Sequence, residues 1–372
     1  MKGVDLKKLN RDVLEGKSGG RIIWQPRIGC WYNDKIFLDE RLPEPYDGLT
    51  LPEIFKKLGC SARDYEYLDC FKQIDDPRVV RHSRAISDTL AEHIVETPVG
   101  SLTTVIRSNK SNGGVYPEIW PVKSVEDLKI DAWVQERTEY AFDRARYDEV
   151  YKKWGGMGLT ATAFPKVSVQ RLTQEAMGLE GTIYAIADYP GAIDGYLRVI
   201  NENQKKLVKL MSESPVECIN FGGHGDCRLL SPNMMREYLL PVCREMNDVF
   251  HKAGKFTFSH WDGEVKPLLP FVKELGFDAI EAITPEPQGD VTLEEMKGAL
   301  GDDIFLIDGI AAILFDPLFP VERLISQVKK LIELFAPKLI LGISDELPSR
   351  GDIERIRIVG DIVDEYNAQF IG

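Results

Sequence analysis

Short apolar runs alternate with longer amphipathic stretches over the second half of the chain. The runs cover residues 158–162, 216–221, 255–259, 279–282, 304–307 and 338–341. Between them lie helix-like stretches near 192–213, 231–253, 265–275, 292–300, 318–335 and 352–367. A brief apolar run bounded by turn residues predicts a buried strand, and one-face spacing predicts a helix. Leu324, Val328, Leu331 and Phe335 have that one-face spacing. Ser231-Pro232 gives an N-cap followed by proline at the first helical position. Thr292 and Glu295 form a capping box. Strands alternating with helices predict a parallel sheet. Six such units, with an early strand at 21–24, predict an α/β (β/α)8 TIM barrel. The rival, a doubly wound sheet, usually carries a glycine-rich nucleotide turn, and neither G-x-G-x-x-G after a strand nor a Walker A motif occurs.

Residues 25–155 break this rhythm. They are rich in aromatic and charged residues, with Pro26, Pro43, Pro45, Pro52, Pro77, Pro98, Pro117 and Pro121. Residues 99–107 predict a strand, and Thr50-Leu51-Pro52-Glu53 opens a short helix. A bare barrel needs about 250 residues. The chain has 372, so this segment accounts for the surplus. The expectation is one domain over 1–372, with 25–155 an N-terminal elaboration capping the barrel mouth.

Charge and cysteine content narrow the function. The balance of 46 basic against 59 acidic residues gives a net charge of −13. That opposes nucleic acid and anionic membrane as partners. The six cysteines are scattered without a Cys-x-x-Cys pair, as free thiols of a reducing compartment are. Residues 1–20 lack the apolar core of a secretory leader, and the stretch 304–315 is too short to span a bilayer. The reading is a cytoplasmic protein, with a homodimer allowed.

The strand ends carry the candidate chemistry, because a barrel forms its site there. After 216–221 comes Gly222-Gly223-His224-Gly225-Asp226-Cys227; after 255–259 comes His260-Trp261-Asp262. The next ends carry Glu281, then Asp308, then Ser344-Asp345-Glu346. His260 and Asp262, two apart just past a strand, can share a zinc ion; the alternative is a buried histidine satisfied by its neighbours. Asp345 and Glu346 are the further candidate ligands. Asp226 is read as a local turn residue, and His224 as a substrate contact. Glu281 should enter the mouth, as a catalytic group or as a salt bridge closing the rim. For Asp308 the salt bridge is favoured.

The stretch Ser231-Pro-Asn-Met-Met-Arg-Glu-Tyr-Leu-Leu-Pro241, then Phe250-His-Lys-Ala-Gly254 and His260-x-Asp-Gly263, resembles the uroporphyrinogen decarboxylase superfamily. Pro121-Val-Lys-Ser-Val-Glu-Asp-Leu128 and Gly309 add to the match, which runs from about residue 95 over most of the chain. The resemblance implies a single barrel per chain and one of two activities: decarboxylation of uroporphyrinogen, or zinc-dependent methyl transfer to or from corrinoid proteins. The decarboxylase has two closely spaced arginines near its N-terminus. Here that stretch reads Trp24-Gln-Pro-Arg27-Ile-Gly-Cys30-Trp31-Tyr32 and keeps one. Thiol methyltransferases of the superfamily bind zinc through His-x-Cys and a later Cys. Here Asp262 and Ser344 stand nearest those cysteines. Oxygen ligands leave zinc a harder Lewis acid than thiolates do, which suits polarising an ether oxygen.

The resemblance therefore implies the methyltransferase component of a corrinoid-dependent O-demethylase. It would move a methyl group from an aromatic methyl ether to Co(I) of a corrinoid (cobalamin-type) carried by a partner protein. Trp24, Arg27, Trp31, Tyr32 and Phe221 would bind substrate. His260, Asp262 and Asp345 or Glu346 would hold zinc, and His260, Glu281 and His224 would act in catalysis. The alternatives are transfer from methylcorrinoid to a thiol, uroporphyrinogen decarboxylation, and tetrapyrrole binding without catalysis.

Overall fold

The computed structural model describes residues 3–109 and 114–370. In chain order the strands are β1 (Ile23–Trp24), β2 (Phe71–Ile74), β3 (Val80–Ala85), β4 (Leu90–Thr97), β5 (Gly100–Ser108), β6 (Val115–Ile119) and β7 (Glu139–Phe142). There follow β8 (Ala161–Phe164), β9 (Cys218–Phe221), β10 (Phe256–His260), β11 (Ala279–Glu281), β12 (Phe305–Ala311) and β13 (Leu339–Ser344). Seven of these form one curled parallel sheet in the order β1-β13-β12-β11-β10-β9-β8.

All six predicted strand runs of the second half and the early strand are present. The parallel ladder has seven members, not the expected eight. β1 is only two residues long because Pro26, just beyond it, has no N–H to extend the ladder. In the gap between β1 and β8 runs the segment 60–63. Ser61 N–H donates to the Trp24 carbonyl and Ala62 N–H to the Met157 carbonyl, each at 2.9 Å.

The sheet's inner face is packed, not hollow. Ala161, Cys218, Phe258, Ile307 and Ile340, with Gln25 and Arg63, leave a void of only about 20 Å³. The outer face packs on helices. Leu324, Val328, Leu331 and Phe335 of the helix Val321–Phe335 are buried, as their spacing predicts. The Thr292 capping box and the Ser231 N-cap form, and Thr50 and Glu53 cap the helix Leu51–Leu58. The expected helix at 265–275 is corrected to a 3-10 turn over Lys266–Phe271. Pro267 and Pro270 remove two amide donors from so short a stretch.

The segment 25–155 holds two small antiparallel sheets of its own. β3 to β6 form an antiparallel meander, and β2 pairs with β7. The meander packs through β5 on the helix Val125–Arg137, which in turn packs on the helix Pro190–Glu213. Leu102 and Val105 are its buried residues. The stretches near 27–32 and 61–66 supply side chains to the strand ends.

Candidate functional site

Register brings the first pair together. His260, the last residue of β10, lies opposite Glu281, the last residue of β11. Both therefore project on the same side of the sheet. His260 Nδ1 is 3.1 Å from Glu281 Oε2. Glu281 is fully buried and surrounded by donors. Arg63 approaches at 2.7 Å, the Tyr65 hydroxyl at 3.1 Å and the Asn220 amide at 2.7 Å. Burial opposes its ionisation, but the charge of Arg63 and the hydrogen bond from His260 outweigh that and hold its carboxyl well below the usual range. Glu281 is thus an anion, and His260 Nδ1 carries the hydrogen directed at it.

His260 Nε2 then faces Asp262, whose Oδ1 is 3.7 Å away. The same Oδ1 lies 2.6 Å from His224 Nδ1. His224, His260 and Asp262 each offer one ligand atom, all within 4.8 Å of one another. Burial disfavours the imidazolium of His260, yet the attraction of Asp262 and the hydrogen bond to Glu281 prevail and push its pKa up to about 10. Asp262 is held far below the usual carboxylate range, since its bond to His224 and the attraction of His260 overcome its burial.

The loop bearing His224 needs its glycines. A Cβ on Gly223 would collide with the Gln170 amide, and one on Gly225 with the Trp261 indole. Asp226 accepts from the Arg228 backbone N–H at 2.9 Å and from its guanidinium, the local turn role expected of it.

Asp345 and Glu346 go elsewhere. Both ion-pair with Arg27, Glu346 at 3.0 Å. They do not join the three-residue group, whose third member is His224. Asp308 makes the expected salt bridge, taking both oxygens to Arg63 at 3.0 and 3.1 Å. Its φ of 74° breaks the strand alternation that would have turned it outward. Burial foremost, and then Glu281, raise its pKa to about 7 against the pull of Arg63.

The expected aromatic lining is corrected in part. Trp24 is 1% exposed and lies against Gly360 of the helix Ile353–Ala368, on the helical side of the sheet. Phe221 stacks on Phe164 and packs edge-on against Phe250 and Phe277 in the sheet–helix core. The strand alternation that turns Asn220 inward turns Phe221 outward. Trp31 is buried in the same core. Tyr32 and Arg27 do line a common cavity of about 530 Å³, together with Arg63, Tyr65 and Glu346.

Arg63, Tyr65 and Asn220 are site residues the sequence did not point to. The first two lie in the irregular segment, where no strand period marks which side chains turn inward. Asn220 is signalled only by alternation within β9.

No protein-family model and no curated protein sequence matches this chain. Among solved structures, a methyltransferase from Methanosarcina mazei aligns over 97% of this chain and 99% of its own, at 14% identity and a TM-score of 0.60. A B12-independent methionine synthase from Shewanella sp. W3-18-1 aligns over 86% of each chain, at 11% identity and a TM-score of 0.40, too distant to bear on this one. The likeness to the Methanosarcina protein is one of fold, and it extends over essentially the whole chain.

Proposed function

We propose that this protein is a zinc-dependent methyltransferase of the uroporphyrinogen decarboxylase superfamily, with a (β/α)8 barrel. In this reading it moves the methyl group of an aromatic methyl ether to Co(I) of a corrinoid protein. The observation that carries the reading is the group His224, His260 and Asp262 at the ends of adjacent strands, with nitrogen and oxygen donors and no thiolate. The fold shared with a methyltransferase over its full length supports it.

The donor set fits zinc. Three protein ligands with a fourth position open is the catalytic arrangement of that ion. A histidine whose other nitrogen is held by a carboxylate, as His260 is by Glu281, is the usual form of a zinc-bound imidazole. Bound there, zinc would supply Lewis acidity to an ether oxygen.

The rest is done by the chain's own residues. Glu281 orients His260, and Arg63, Tyr65 and Asn220 keep Glu281 anionic. A carboxylate held in this way has no proton to give, so its role is positioning. Arg27 and Tyr32 border the cavity proposed for the ring. The arginines also weigh against decarboxylation of a polycarboxylate. Arg27 is occupied by Asp345 and Glu346, and Arg63 by Glu281 and Asp308. Neither is free for an acidic tetrapyrrole.

The test measures bound metal and methyl transfer from phenyl methyl ethers to cob(I)alamin, beside a parallel assay with thiols and methylcobalamin. About one zinc per chain is expected, with both metal and ether demethylation lost in His260→Ala. Full activity in metal-free protein would overturn the proposal.

A further inference from the structure

Arg27, Arg63 and Lys166 border the strand ends around Glu281 and Asp262. Arg27 and Arg63 are each paired with carboxylates of this chain. Lys166 is not. It lies two residues past β8 and is half-buried, and its ammonium donates to the Gly222 carbonyl. That carbonyl is two residues before His224. An ammonium has three N–H donors, and this is the one hydrogen bond the Lys166 ammonium makes among the described residues. Asp262 and Glu175 are near enough for their charges to act on it, without forming an ion pair.

The turn that carries Lys166 is strained and tied to the His224 loop. Ser168 has a φ of 51°, and its buried hydroxyl has no partner among the described residues. Strain of this kind collects at functional sites. Gln170 presses on Gly223 and reaches the His224 carbonyl at 3.5 Å. The unpaired ammonium and the three-residue donor group are thus parts of one assembly.

Cleavage of the ether leaves charge to be placed. The methyl carbon passes to Co(I), whose electron pair makes the new bond. The electron pair of the broken C–O bond stays on the aryl oxygen as a phenolate, and no other oxidant or reductant is consumed. Glu281 cannot receive that charge, being an anion itself. We infer that Lys166 is a catalytic residue that receives the phenolate oxygen in a charge-assisted hydrogen bond from its ammonium. The inference rests on the methyl-transfer reading above, and it assigns to the β8 end a role that neither glutamate nor arginine at this site can fill.

Binding of the product anion tests it apart from turnover. 4-Nitrophenolate and its neutral ether, 4-nitroanisole, are titrated into the metal-free full chain and followed by absorbance. The anion should bind about ten-fold or more tighter, the worth of a charge-assisted hydrogen bond. Lys166→Met should erase that preference, Lys166→Arg should keep much of it, and zinc content should be unchanged in both. No preference in the parent protein, or a preference that survives Lys166→Met, overturns the inference. If the preference behaves as expected but no ether is demethylated, the anion site stands and the methyl-transfer reading falls. If ethers are demethylated and the preference ignores Lys166, only the present inference falls.

Discussion

His260 Nδ1 and Glu281 Oε2 lie 3.1 Å apart at the ends of paired strands, and this contact decides which nitrogen of His260 faces Asp262. The carboxylate is fully buried and held by Arg63, Tyr65 and Asn220. The imidazole is therefore oriented by a group that cannot itself reach a substrate.

Glu281→Gln should keep the fold but weaken zinc binding by about 10- to 100-fold, the usual effect of removing the partner of a metal-bound histidine. Competition with a chromogenic chelator measures it. An unchanged affinity would show that the contact does not serve the metal.

Asp345→Asn should retain about one zinc per chain, whereas His224→Ala should lose it. The contrast separates two ligand sets, because Asp345 is engaged with Arg27 while His224 meets Asp262. Metal analysis of the two purified variants is sufficient.

Arg63→Met would leave Glu281 and Asp308 buried without their shared cation. Removing one partner of a buried ion pair costs about 3–5 kcal/mol. Urea unfolding should show a loss of that order, and the double variant Arg63→Met with Asp308→Asn should recover part of it.

Trp24→Ala should destabilise the protein by about 3–5 kcal/mol, as deletion of a buried aromatic does. Zinc affinity should be unaltered, since the indole faces the helix Ile353–Ala368. Thermal melts and metal titration of the same preparation report both.

Asp131 gives a pH dependence remote from the group His224, His260 and Asp262. Burial disfavours its charged form, but the charge of Arg171 and hydrogen bonds from Tyr196 and Arg171 outweigh burial and lower its pKa. A depressed carboxyl stabilises the fold above its unfolded value, about 3.9, and that contribution is lost as pH falls through the folded value. Asp131→Asn should therefore be less stable than the parent at pH 7, with the gap narrowing towards pH 3. Urea midpoints at the two pH values test it, and a constant gap would contradict the assignment.

That polar side chains gather at the strand ends was legible in the sequence, but not how they would group. His260 and Asp262 were readable together because they are two residues apart. That His224 would be the third member, and that Asp345 and Glu346 would turn to Arg27, depended on how far each loop leans once β9, β10 and β13 are in the sheet. Trp24 and Phe221 each end a strand, yet both face the helices. Adjacent residues of a strand point to opposite faces, so closeness to a strand end does not place a side chain at the site.

What the sequence by itself determined is whatever depends on near neighbours: the helix caps at Thr50, Ser231 and Thr292, the apolar face of 321–335, and the alternation of strands with helices. Such features follow from backbone hydrogen bonding and side-chain period within a few residues. Only the tertiary structure decided that Tyr65 meets Glu281 across 216 residues, that Arg27 meets Asp345 across 318, and that the Lys166 ammonium meets the Gly222 carbonyl. The physical reason is that a buried charge is settled by whatever opposite charge the folded chain brings beside it, and no local period records that encounter.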